Sequence, residues 1–137
     1  VALYVMARLS LDLAGPAQPL WWGVLLVVLG AASAVLGALR ANLEEEGKTL
    51  LACSTIENVG LIAVGLGLAA VFRAADLGAL AALAAGAALL HALNHAVFKT
   101  LLFLGMGEVA RGAASRRLDR LGGLIGPMPL TAGCVLA

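Results

Sequence analysis

Charge is what this sequence has least of. Only 12% of its 137 residues are Asp, Glu, Lys or Arg, about half the share found in soluble domains, while 62% are hydrophobic. So short a chain cannot cover that much apolar surface with so few polar residues. Water is excluded as its main solvent, and lipid is implied. Aromatic residues are scarce as well, at 4%. The apolar bulk is Leu, Ala, Val and Gly, a mixture of strong helix formers and a residue common in membrane helices. A formal net charge of +1 leaves no strong field of either sign, so no nucleic-acid partner is expected. The two cysteines, Cys53 and Cys134, fall in apolar segments without ligand spacing. They read as small packing hydrophobes, not as metal or cluster ligands. No nucleotide-binding loop and no nucleophile–base pair stands out, so no redox chemistry and no cofactor are expected in this chain. The chain begins VALYVMARLS and stops at TAGCVLA within a new apolar run. Both ends read as cut, and an internal piece of a longer polypeptide is expected.

What is there is a series of long apolar runs. A bilayer core of about 30 Å needs roughly 20 apolar residues in a helix. Three such spans are predicted, at about 20–39, 49–72 and 77–109, with the start of another at about 130 and the tail of an earlier helix in 1–7. The expected fold class is therefore all-α, a polytopic transmembrane helix bundle forming a single partial domain over 1–137. Pro16 and Pro19 break the chain before the first span, and Trp21 and Trp22 stand where indole rings favour the headgroup level. The third span is longer than a bilayer requires and should tilt, bend or project. EEE at 44–46 reads as a solvated turn, and RRLDRLGGLI at 116–125 is compatible with a short interfacial helix. The turn at 40–48 and the connector at 110–127 share one side and hold Arg40, Lys48, Arg111, Arg116, Arg117 and Arg120. Arg8 and Arg73 fall on the other. The positive-inside rule puts the richer side in the cytoplasm.

Against this background the polar residues inside the spans stand out. HALNHAVFK carries His91, His95 and Lys99 at intervals of four, so the three lie in register on one helix face over about 12 Å. Ionisable groups at such depth are costly and tend to mark ion or proton pathways. Imidazole both gives and takes a proton near neutral pH, and a desolvated amine titrates there too. A row of these groups suits proton relay, with Asn94 beside it to bridge. Two other readings stay open. His at i and i+4 is also a zinc-ligand spacing, but the Glu of the H-E-x-x-H motif and a third ligand are missing. The histidines also fit as structural hydrogen-bonding groups between helices, with Lys99 reaching towards an interface. Glu57, in STIEN, fits either a relay or a structural pairing with a Lys or His on an adjoining helix. Ser54, Thr55 and Asn58 around it suit hydrogen bonds to neighbouring helices.

The runs LWWGVLLVVLGAASAVLGAL, KTLLACSTIENVGLI, HALNHAVFKTLLFLGMGEV and DRLGGLIGPMPLT resemble, in that order, the proton-conducting antiporter-like membrane subunits. These belong to complex I (NADH:quinone oxidoreductase), Mrp-type cation/proton antiporters and membrane-bound hydrogenases. The Glu57–Asn58 pair, with PLWWG, is similar to the branch of hydrogenase-4 component B and formate hydrogenlyase subunit 3. Two departures from the family pattern occur, at Glu46–Thr49 and at Cys53. The resemblance implies a multi-pass subunit in a prokaryotic plasma membrane that moves protons while a peripheral hydrogenase or dehydrogenase module does the redox chemistry. It implies other membrane subunits as further partners. It also implies that His91, His95 and Lys99 form part of a hydrophilic axis along the membrane mid-plane. The alternatives are a purely structural scaffold or an Mrp-type antiporter subunit.

Overall fold

The computed structural model describes residues 2–13, 18–123, 126 and 128–136. The chain is all-helical in architecture. Helix α1 (Ala2–Arg8) runs into a π-helical turn (Leu9–Leu13), and α2 (Leu20–Leu43), α3 (Gly47–Ala74) and α4 (Gly78–Gly112) follow. A 3-10 turn (Leu118–Arg120) and α5 (Pro129–Leu136) complete the described chain. Helices α2, α3 and α4 are each long and apolar enough to cross a membrane. The chain is thus an integral membrane protein. Pro16 lies outside the described residues, but Pro19 sits at the N-cap of α2, where its carbonyl accepts from the Trp22 amide at 3.0 Å. At about 1.5 Å per residue α4 is roughly 52 Å long, well beyond the hydrocarbon core. Its last turns carry the Glu108–Arg111 ion pair (3.5 Å), as suits an end that projects from lipid.

Helix α3 packs on both α2 and α4, and small residues set how closely. Gly30 and Gly60 bring the backbones of α2 and α3 together: a methyl group added at Gly60 would lie 2.6 Å from the Ala34 amide nitrogen. One further step along, a methyl at Gly37 would lie 2.6 Å from the backbone nitrogen of Glu57. Such approach gives the dispersion contact that drives helix association where water supplies none. Between α3 and α4 the contacts are Gly65 against Ala88 and Gly47 against Met106. These fix an antiparallel register. On this seam Asn58 of α3 lies opposite His91 of α4. Ile62, Leu66 and Ala88 form the buried cluster just beyond, with Met6 and Leu11 packed on it.

The turns follow from local chemistry. At the end of α3, Asp76 adopts a left-handed conformation (φ 58°). Its amide bonds the Arg73 carbonyl (3.2 Å), and the Leu77 amide reaches back to Phe72 (2.9 Å). That is a Schellman closure, which lets α4 turn back at once. At the opposite end the glutamate run is more than a solvated turn. Leu118 donates to the Glu45 carbonyl (2.8 Å) and Gly47 to the Arg116 carbonyl (3.1 Å), forming a bridge between Glu46 and Arg117. Arg117 also donates to Glu45 Oε2 at 2.7 Å and to Asp119. This pairing explains why the interfacial helix expected over 116–125 does not appear among the described residues there. Residues 116–118 spend their backbone groups on the α2–α3 turn, and Gly123 takes a left-handed φ of 69°. Leu124 and Ile125 lie outside the described residues.

Candidate proton-relay site

The site lies on the α3–α4 seam. Its floor is α4, whose 35 residues, mostly Ala and Leu, include no proline to interrupt the four-residue spacing. His95 and Lys99 are both buried, each 6% exposed, and His91 is half-buried. Burial of two ionisable side chains in a bundle whose outer faces are apolar is the expensive arrangement that function, not packing, normally sustains. The His95 ring is held edge-on to Phe98, with ring centres 5.2 Å apart. Neither His95 Nδ1 nor Lys99 Nζ has a hydrogen-bond partner among the described residues. No protein group there competes for the proton either nitrogen would carry.

Helix α3 supplies the facing wall. Glu57 is half-buried, and its charge is felt at Lys99, although the two are not within ion-pair distance. Lys99 in turn acts electrostatically on His95, as does His91. Gly37 of α2 abuts the Glu57 backbone from behind, and Ser33 donates to the adjacent Ile56 carbonyl (3.4 Å), so α2 backs the segment that carries the carboxylate. Cys53 is buried close to Gly37, whereas Cys134 is exposed on α5.

The structure brings together His91, His95, Lys99 and Glu57 from the sequence-predicted set. It does not bring Asn94 into the group: that residue is exposed. The amide that meets His91 is Asn58, whose Oδ1 lies 3.0 Å from His91 Nε2. Asn58 stood out in the sequence only as a polar neighbour of Glu57. No sequence signal places Asn58 against His91, because that contact depends on the level at which α3 packs against α4.

Residues 1–137, the whole chain, match the membrane-segment model described as NADH:quinone oxidoreductase/Mrp antiporter. Hydrogenase-4 component B of Escherichia coli is 40% identical over 99% of this chain and 20% of its own length. Formate hydrogenlyase subunit 3 of the same organism is 42% identical over 96% of this chain and 22% of its own. A Na+/H+ antiporter subunit of Alkalihalophilus pseudofirmus is 36% identical over 94% of this chain and 16% of its own. The chain thus spans about a fifth of the length of the curated relatives it matches.

Proposed function

Since the chain belongs to the NADH:quinone oxidoreductase/Mrp antiporter membrane family, we propose that it carries part of a proton path through a prokaryotic plasma membrane, in a hydrogenase-type or complex I-like assembly. One observation carries this reading: two buried, unpartnered ionisable nitrogens, on His95 and Lys99, stand in register with His91 and face a glutamate across a helix seam. Lys99 is the site that holds a proton, with Glu57 setting the electrostatic cost of doing so. His91 and His95 pass it along the seam as neutral imidazoles that charge in turn. Coupling arises because a proton on one group changes the free energy of protonating the next. The chain's own residues supply no redox chemistry, and a peripheral hydrogenase or dehydrogenase module is the partner that would drive the flux.

Proton uptake by energised membrane vesicles tests this. Lys99→Ala and His95→Ala in the assembled protein should each cut the rate by about tenfold or more, since positioned acid–base groups typically contribute about 10²–10⁴-fold. Undiminished pumping in both variants would leave the segment as a scaffold. The Na+/H+ antiporter relative favours a second reading, exchange of a cation for protons. A sodium gradient that drives proton movement through the protein without any electron donor would support that reading instead.

A further inference from the structure

The Asn58 contact fixes more than helix packing. Its Nδ2 donates to the Ser54 carbonyl (2.8 Å) and lies 3.5 Å from the Ser54 hydroxyl. That carbonyl can only accept, so the amide cannot be turned over without setting two acceptors against each other. Oδ1 is therefore the atom presented to His91 Nε2 at 3.0 Å. An amide oxygen only accepts, and His91 must bring a hydrogen on Nε2 to meet it.

We propose that Asn58 is a positioning residue that clamps His91 in the Nε2–H form and so leaves Nδ1 as the one ring nitrogen through which it exchanges protons. The clamp holds in both charge states. Neutral His91 donates from Nε2 and keeps a free lone pair on Nδ1; the cation donates from both nitrogens, and its bond to Asn58 is strengthened by charge. A proton therefore enters and leaves on the same edge of the ring. A histidine so held cannot conduct by taking a proton on one nitrogen and releasing it from the other. It works as a side reservoir that a moving charge must visit and leave. The other titratable groups along this seam are Glu57 on α3 and His95 and Lys99 on α4. The inference rests on the relay reading for its meaning but not for its geometry.

Nitrogen NMR of ¹⁵N-histidine-labelled protein, assembled in its native membrane, reads the tautomer directly. His91 is assigned by loss of its signals in His91→Gln. Neutral His91 should show a protonated Nε2 and a bare Nδ1. Asn58→Leu should give a mixture of tautomers and lower proton flux about tenfold. A neutral His91 protonated on Nδ1 in the unaltered protein overturns the proposal, even if no variant assembles. So does an unchanged tautomer in Asn58→Leu. If the tautomer responds as expected while His91→Gln leaves flux intact, the clamp stands and the relay role of His91 falls.

Discussion

At the residue scale the most informative group is Lys99, because its burial and its reach oppose each other. A lysine at the centre of a membrane helix costs roughly 2.5–3.5 kcal/mol on insertion. Glu57 is near enough to be felt but not near enough to form an ion pair, so the cost is only partly offset. If Lys99 were kept for structure, its removal would destabilise the bundle by stranding a half-buried carboxylate. If it is kept for proton transfer, the site is less stable than an apolar one would be. Lys99→Met, which fills similar space without charge, is expected to stabilise the protein by about 1–3 kcal/mol while cutting proton uptake by about tenfold or more. Thermal unfolding in detergent alongside vesicle flux separates the cases: a lower midpoint in Lys99→Met would mean the lysine is a structural partner of Glu57. The four-residue spacing made this ladder legible in the sequence. Asn94 stands out there because it lies inside HALNHAVFK, whereas Asn58 belongs to another span, and which amide reaches the ladder depends on the packing of that second helix.

At the scale of elements, close approach between α2 and α3 decides how rigidly Glu57 is held. Gly37 leaves no room for a side chain against the Glu57 backbone, and the obstructing atoms are main chain rather than flexible tips. Gly37→Leu should therefore push the two helices apart locally and cost about 1–3 kcal/mol, as overpacking does. Proton flux should fall as well, because the carboxylate moves with its helix. The same leucine at Gly86, where nothing lies within 4 Å, is the control and should be close to neutral. A second local cost sits at the end of α4, where Ala114 is left-handed (φ 51°). A left-handed alanine costs roughly 1–2 kcal/mol, so Ala114→Gly should raise the unfolding midpoint. The helices themselves were readable from apolar run length, and the α3–α4 turn from the short polar FRAAD. The bridge between Glu46 and Arg117 was not readable. It joins segments 71 residues apart, and the composition of 116–125 fits an amphipathic helix equally well until the partner strand of backbone is known.

At the scale of the whole molecule, the ends of the bundle carry opposite kinds of closure, and this makes its membrane orientation testable. One end is tied by Arg73, which donates to the Leu11 carbonyl (2.8 Å) in the π-helical turn. The other joins the α2–α3 turn to the segment after α4 through Glu45, Glu46, Arg116 and Arg117. These ion pairs are exposed and screened by solvent, so they locate the charge more than they hold the fold. That concentration of arginine is what the positive-inside rule reads. Ser115 and Asp76 then mark opposite faces, because α4 runs between them along its whole length. In a background with Cys134 replaced by Ala, Ser115→Cys should react with an impermeant maleimide only in inverted vesicles, and Asp76→Cys only in right-side-out ones. Reaction of both from the same side would rule out α4 as a membrane span. Reaction of both with the sides exchanged would keep the span and reverse the orientation, so that the bridged, arginine-rich end faces away from the cytoplasm.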